Sequence, residues 1–243
     1  MPPRTLIYDI ETSPVLGYGY PPLYETNMFH IVDDWYMLSF AYKWLGDKTI
    51  HYRQKSARRG DDRALVKELW KLFDEADVVV AHNGDSFDQK KAWTRFVMHD
   101  LGAPSPYQSI DTLKLAKQKT SFTGNSLSQL AQFFELGEKG TTPKGTWLGC
   151  IKGDEKAWRA MKRYNLQDVV LLEGIWRKLA PYVKVRPLAA PGVRTCQNLL
   201  CDSPRLQRRG FTTRGGNAHR QYKCVGCGVW HYELLRNVGQ MRT

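Results

Sequence analysis

Five residues carry the chemistry open to this chain: Asp9 and Glu11 in "YDIET", Asp88 in "NGDSFD", and Tyr164 with Asp168 in "YNLQD". Asp9 and Glu11 stand two apart in a run, Leu6, Ile7, Tyr8 and Ile10, of the apolar, β-branched and aromatic kind that fills a strand interior. Strand alternation therefore puts both carboxylates on one face. Two neighbouring carboxylates repel, and burying either charge unpaired costs several kcal/mol, so that face must meet positive charge or water. Asp88 follows the apolar run "VVVAH" where a helix should start, the kind of place where sites form in α/β sheets. Tyr164 and Asp168 are four apart, so a helix would set phenol and carboxylate on one face. Taken singly, each acid also fits a plainer role: a solvated strand face for Asp9 and Glu11, helix capping for Asp88 or Asp168. Taken together they suit a pair of hard divalent cations such as Mg²⁺ or Mn²⁺, roughly 3.5 to 4 Å apart, which prefer oxygen ligands. Such a pair positions a water and stabilises both the attacking and the leaving oxygen of a phosphodiester.

The elements that must hold these residues read as an α/β fold. After the first strand, "SPVLGYGYPPLYETNMFHIVDDW" is rich in Pro, Gly and Tyr and reads as a long loop with some turns. "YMLSFAYKWLGDKTIHYRQ" reads as two strands turning at Gly46 and Asp47. "DDRALVKELWKLFDEA" places Leu65, Leu69, Leu72, Phe73 and Ala76 on one helical face, with Asp61 or Asp62 as cap, and "DVVVAHN" follows as a short buried strand. "FDQKKAWTRFVMHDLG" is a helix stopping near Gly102, and "YQSIDTL" a further short strand. "SLSQLAQFF" opens with a capping box, Ser126 with Gln129. From Asp154 to about Leu179 the pattern is helical again, with a break expected near Asn165. Successive strands followed by alternating helices and strands predict a mixed β-sheet flanked by helices.

"YDIET", "NGDSFD" and "YNLQD" resemble the three motifs of the DEDD 3′-to-5′ exonucleases, which have the ribonuclease H-like fold. The spacing of Asn83, Phe87 and Asp88 is most similar to the proofreading domain of family B DNA polymerases, and the whole resembles stand-alone DnaQ-like exonucleases of phages. The resemblance runs from about residue 4 to 182 and takes in "DTLKLA", "NSLSQLAQFF", "GTWL" and "MKRYN". One subclass carries a histidine five residues before the last aspartate, the other a tyrosine four before it. Arg163 and Tyr164 occupy those positions here, so the third motif is similar to the tyrosine subclass, DEDDy. The resemblance implies that Asp9, Glu11, Asp88 and Asp168 ligate two divalent cations and that Tyr164 orients the attacking water. A phenol is too weak an acid to serve as an ordinary base near neutral pH. It also implies substrate contacts from Asn83 and Thr12. Asp85 has the wrong offset for a ligand and reads as loop solvation, Asp111 as a helix cap, and His82 as a packed or capping residue.

The chain has 243 residues and a formal net charge of +12. From Lys184 onward there are eleven basic residues and two acidic ones, so most of the excess lies in the tail, with four of the five cysteines. "KVRPLAAPGVRT" reads as a linker, dividing the chain into an exonuclease domain over residues 1–183, a linker over 184–194 and a small module over 195–243. "CQNLLC" and "CVGC" supply Cys196, Cys201, Cys224 and Cys227, two close pairs able to complete a tetrahedron around Zn²⁺. Disulfides or free thiols are the competing reading, disfavoured in a reducing compartment. His219 and His231 are possible substitute ligands. The module resembles a zinc ribbon, in which metal would supply much of the folding free energy. Arg205, Arg208, Arg209, Arg214 and Arg220 lie near Phe211, Tyr222 and Trp230, a mixture suited to phosphates and stacked bases, and of these Arg208, Arg209 and Arg214 are taken as substrate-binding candidates. A solvated basic finger is the plainer alternative. Cys150 is assigned no role.

The expected function is metal-dependent 3′-to-5′ exonuclease activity on DNA 3′ ends, single-stranded by preference, releasing nucleoside 5′-monophosphates. The alternatives are an exoribonuclease using the same site, since no motif reports on the 2′-hydroxyl, and a zinc-ribbon nucleic-acid-binding protein with a vestigial site. Any proofreading would occur in trans with a polymerase or another replication or recombination partner. No run approaches the length of a membrane span and "MPPRTL" lacks the apolar core of a signal peptide, so an intracellular, cytoplasmic setting without a membrane partner is expected, the phage-infected bacterial cell if the phage resemblance holds.

Overall fold

The computed structural model describes residues 3–20, 28–56, 60–183, 195, 196, 198, 200, 201, 203–214 and 217–234, the side chains of residues 213, 214, 217, 218 and 234 excepted. The linker expected over 184–194 lies outside the described residues. The chain divides into two compact units, Arg4–Lys178 and a second formed by Leu179–Thr243 with Met1–Pro3.

In the first unit the order is β1 (Thr5–Thr12), β2 (Leu16–Gly19), β3 (Met28–Asp33), β4 (Met37–Trp44), β5 (His51–Gln54), α1 (Arg63–Glu75), β6 (Val78–Ala81), α2 (Asp88–Met98) and β7 (Gln108–Asp111). Then come α3 (Thr112–Lys119), α4 (Leu127–Phe133), α5 (Thr146–Lys152) and α6 (Glu155–Leu179). Five strands form one mixed sheet in the order β5-β4-β1-β6-β7. β4 runs antiparallel to β1 and β5, whereas β1, β6 and β7 are parallel, so their C-terminal ends meet on one edge.

The alternation along β1 decides what each face of the sheet meets. Leu6, Tyr8 and Ile10 point into a core with Phe40 and Tyr42 of β4, Leu65, Leu69 and Phe73 of α1, and Ala92 and Phe96 of α2. Phe73 is fully buried and meets Tyr8, Phe96 and Tyr107 edge to face; truncating such a ring to alanine costs about 3–5 kcal/mol. Asp9 and Glu11 point to the other face, where α6 crosses the sheet. There Asn165 reaches Asp9 and Ser39, and Lys43 of β4 pairs with Glu173 at 2.6 Å. The two acids interrupt an apolar strand because their face looks onto the helix that brings Tyr164 and Asp168.

Several local expectations hold. The β4–β5 turn passes through Gly46 at φ 102°, the Ser126–Gln129 capping box is formed, and Asp111 caps α3 by accepting from the amides of Leu113 and Lys114. Others do not. The segment after β1, read as a loop, contains a two-stranded ribbon, β2 with β3, joining β1 to β4; its outward aromatics lack the burial that marks a strand in sequence. Residues 21–27 of that segment lie outside the described residues. α6 is continuous through Asn165, whose side chain bonds to β1 and β4 instead of capping a new helix. Asp62 holds the N-cap position of α1 without capping it. Its carboxylate accepts from the Met37 amide at 2.8 Å, binds Arg95 of α2 and faces His99 at 2.7 Å.

In the second unit, β8 (Leu206–Arg214), β9 (Asn217–Cys224) and β10 (Trp230–Leu234) form an antiparallel sheet in the order β10-β9-β8. Among the described residues no helix is long and apolar enough to cross a membrane.

Candidate active site

The C-terminal ends of β1 and β6 and the middle of α6 enclose a cleft of about 190 Å³. Asp9, Glu11, Asp88, Tyr164 and Asp168 all line it, with Ile10, His82, Asn83, Phe87, Leu127 and Lys139. Three distant stretches of sequence thus come to one place. Thr12 does not line the cleft; it pairs with Met37 beyond a register shift after Glu11.

Each acid is held by a specific partner. Asp88 begins α2, is 3% exposed and accepts from the Ile10 amide at 3.0 Å, which ties the helix start to β1. Glu11 accepts from Trp147 Nε1 of α5 at 2.8 Å. Asp9 accepts from Nδ2 of the fully buried Asn165. Asp168 pairs through Oδ2 with Lys139 at 2.8 Å, while its buried Oδ1 has no hydrogen-bond partner. The Lys139 ammonium also lies 4.8 Å from the centre of the Tyr164 ring, and that ring meets Trp147 edge to face.

The turn into α2 is set by geometry that few residues satisfy. Asn83 adopts φ 63°, in the left-handed region, and a Cβ on Gly84 would stand 2.5 Å from that of Ala81. Asp111 fixes the turn from beneath, accepting from the amides of Asn83 at 3.0 Å and Asp85 at 3.3 Å besides capping α3. Asp85 pairs with Lys114 at 2.8 Å and accepts from Ser109, turned away from the cleft's acids. His82 is bound through Nδ1 to Thr112 at 2.9 Å, and burial lowers its pKa to about 4, so it stays neutral.

Burial, reinforced by the neighbouring acids, dominates the electrostatics. It raises the Glu11 carboxyl to about 7 against the opposing Trp147 bond, with Asp168 and Asp88 adding to the rise. It raises Asp88 to about 7 against the bond from Ile10, and lifts Asp9 and Asp168 as well, the last in spite of Lys139. Burial likewise moves the Tyr164 phenol up to about 12, which keeps it protonated near neutral pH. Four carboxylates whose charge is suppressed by burial and mutual repulsion, one with an unpartnered oxygen, are the donor set that hard divalent cations prefer. Among the described residues, the one group of three or more His, Cys, Asp or Glu side chains gathered closely enough to hold a metal ion is the four cysteines of the second unit.

The chain is similar to the family described as the RNase_H superfamily over residues 24–180. It belongs to that superfamily. A family B DNA polymerase from the hyperthermophilic archaeon Pyrobaculum calidifontis superposes with a TM-score of 0.57 at 20% sequence identity, over 75% of this chain and 25% of the polymerase. The chain thus spans about a quarter of that protein's length, and at this identity the likeness speaks for the fold alone. No curated protein sequence matches the chain. The mixed sheet with helices on both faces is the RNase H-like fold, and membership of the superfamily supports a nuclease.

Lys139, Trp147 and Asn165 were not among the expected site residues of this RNase H superfamily member. Asn165 had a legible signal: it stands four residues from both Met161 and Val169, an amide within the buried stripe of α6. Trp147 is visible only as the aromatic of "GTWL", and Lys139, in a loop of Gly, Lys and Thr, has no signal.

The superfamily match ends at residue 180, so the four cysteines of the second unit lie outside it. Cys196, Cys201, Cys224 and Cys227 bring their sulfurs within 4.8 Å of one another, and none is in a disulfide. The Gly228 amide donates to the Cys224 carbonyl at 2.9 Å, closing a tight turn around "CVGC". Burial opposes ionisation of Cys224, but the Cys227 and Gly226 amides lower its thiol to about 6. Of the two candidate histidines, His231 lies with Nε2 3.4 Å from the Cys196 sulfur. On the same sheet the half-exposed Phe211 has Arg208 over its ring at 5.1 Å and Arg220 at 5.8 Å. Arg209 is exposed on β8, while the side chain of Arg214 lies outside the described residues. Cys150 is buried in a small core with Tyr36, Leu38 and Met161, and burial moves its thiol up to about 12.

Proposed function

We propose that this RNase H superfamily member is a metal-dependent 3′-to-5′ exonuclease of the DEDDy kind, hydrolysing the terminal phosphodiester of DNA, single-stranded by preference, and releasing nucleoside 5′-monophosphates. The observation that carries the reading is the gathering of Asp9, Glu11, Asp88, Tyr164 and Asp168 in one cleft at the ends of parallel strands. Asp9, Glu11, Asp88 and Asp168 would hold two Mg²⁺ or Mn²⁺ ions. Ions so held lower the pKa of a bound water and stabilise the entering and departing oxygens of an in-line displacement.

The chain's own residues do the rest. Asn165 and Trp147 fix Asp9 and Glu11 by hydrogen bonds, so that little reorganisation is needed when charge develops. Tyr164, neutral near pH 7, orients the attacking water by a hydrogen bond and does not remove its proton as a free base. Lys139 places one positive charge beside Asp168 and the Tyr164 ring, where phosphate charge would accumulate. Asn83, held in the left-handed region at the cleft wall, is placed to contact the terminal nucleotide.

The second unit is proposed as a zinc ribbon, with Cys196, Cys201, Cys224 and Cys227 as ligands, that grips nucleic acid through Arg208, Arg209 and Phe211. Proofreading for a polymerase in trans is one setting for such an enzyme. Incubating 5′-labelled DNA and RNA oligonucleotides with Mn²⁺ tests the reading. A descending ladder with mononucleotide release is expected for DNA. A ladder for RNA alone would replace the substrate, and intact oligonucleotides of both kinds would overturn the activity.

A further inference from the structure

The four sulfurs of the second unit do not share one environment. Cys196 and Cys224 are buried, 8% and 1% exposed, whereas Cys227 is exposed and Cys201 half-buried. Four thiolates around one Zn²⁺ leave a net negative charge, and a sulfur shut away from water needs N–H donors from the chain to offset it.

The two halves of the cluster meet that need differently. In "CVGC" the tight turn brings the amides of Gly226 and Cys227 to Cys224, against the burial that opposes its ionisation. In "CQNLLC" the cysteines stand five apart instead of three. Burial pushes the Cys196 thiol up there, and the Asn198 amide opposes it. A further N–H reaches Cys196 from a different strand.

That strand is β10, where His231 stands opposite Tyr222 of β9. Opposed residues of an antiparallel pair share a face, and so do residues two apart on one strand, so His231, Tyr222 and Cys224 lie on one side of the sheet. Glu233, two residues after His231, accepts from the Tyr222 hydroxyl at 2.8 Å on that same side. The imidazole is 6% exposed, and its Nε2 lies 3.4 Å from the Cys196 sulfur. The group of sulfurs within 4.8 Å of one another does not include His231, so the ring borders the set through one sulfur and replaces none of the four. A sulfur ionised for metal binding has only lone pairs to offer, so the shared proton belongs to Nε2.

We propose that His231 is a positioning residue whose Nε2–H donates a hydrogen bond to the Cys196 thiolate, holding the metal site without ligating it. The proposal rests on the zinc-ribbon reading. The bond draws charge off the sulfur, which makes the thiolate a weaker nucleophile and helps it to stay on the metal.

The test uses the full chain as parent, His231→Leu and His231→Gln, the last keeping a side-chain N–H. Circular dichroism and melting temperature of the zinc-loaded proteins establish that each is folded. In Co²⁺ titrations, thiolate-to-cobalt charge transfer reports the sulfurs and the ligand-field bands report the ligand set. Zn²⁺ affinity is read by competition with a chelator, and sulfur reactivity by zinc release to 4-(2-pyridylazo)resorcinol after adding iodoacetamide. For His231→Leu the expected result is unchanged ligand-field bands and charge-transfer intensity, a charge-transfer band at lower energy, Zn²⁺ affinity weaker by about 10- to 100-fold and faster release. His231→Gln should stay near the parent. Altered ligand-field bands in both variants would make His231 a ligand, equal weakening in both would make the ring a packing group, and parental affinity and release in His231→Leu would make the contact incidental. Each of these overturns the donor role alone. A parent whose cobalt spectrum lacks thiolate charge transfer overturns the zinc-ribbon reading and the donor role with it.

Discussion

Asn165 of α6 is bound to Asp9 of β1: its Nδ2 donates to the Asp9 carboxylate and, at 3.1 Å, to the Asp9 backbone carbonyl. Its Oδ1 accepts from Ser39 at 3.3 Å, so the amide spans β1 and β4 from a fully buried position. This contact fixes the first motif relative to the third.

Replacing Asn165 with Ala should therefore act through Asp9. Outer partners of metal ligands are typically worth 10- to 100-fold in metal affinity or activity. The expected outcome is a loss of about that size in Mn²⁺ affinity, measured by isothermal titration calorimetry. Asn165→Asp, which sets a second carboxylate against Asp9, should lose more.

Tyr164→Phe should separate binding from chemistry. The hydroxyl is assigned only to the attacking water, so kcat should fall about 10- to 100-fold while Mn²⁺ affinity stays within about twofold. Equal loss of both would make the tyrosine a structural group.

The carboxyls predict an unusual pH dependence. Glu11 and Asp88 have folded-state pKa values raised to about 7, chiefly by burial, whereas an unfolded chain releases these protons near pH 4. Their contribution to stability is complete below about pH 4 and is lost as pH rises through about 7. Scanning calorimetry in buffer free of divalent ions should find a lower melting temperature at pH 8 than at pH 6. Added Mn²⁺ should raise it more at pH 8 than at pH 5.5, where protons compete for the same oxygens.

Much of the cleft was legible because its acids violate local patterns. Asp9 and Glu11 stand in a strand that is otherwise apolar, and Asp168 stands one turn from a tyrosine in a buried helix. The three lie at ends and faces where strand and helix periodicity already says what they meet. Apart from Asn165, the supports were not legible, for the opposite reason. Lys139 lies in a loop without periodicity, and Asp62 looks like a helix cap until Arg95 and His99 arrive from α2. The β2–β3 ribbon was hidden because its aromatics, such as Tyr18 and Phe29, face outward, so no alternation of burial marks it as strand.

The cysteine cluster predicts one zinc ion per chain by atomic absorption. Cys224→Ser should abolish or strongly reduce zinc content and lower the melting temperature of the second unit, because metal binding supplies folding free energy to so small a core. Affinity for a DNA strand should fall, while hydrolysis of p-nitrophenyl thymidine 5′-monophosphate is retained. Full zinc-free stability would show the cysteines to be ordinary thiols.

The central claim is that acids from β1, α2 and α6 make one divalent-ion site. Crystals soaked in Mn²⁺ and measured at the manganese absorption edge test it most directly. The account predicts anomalous density within coordination distance of Asp9 and Asp168, lost in Asp9→Asn. Manganese bound only elsewhere on the molecule, with none between these carboxylates, would contradict it.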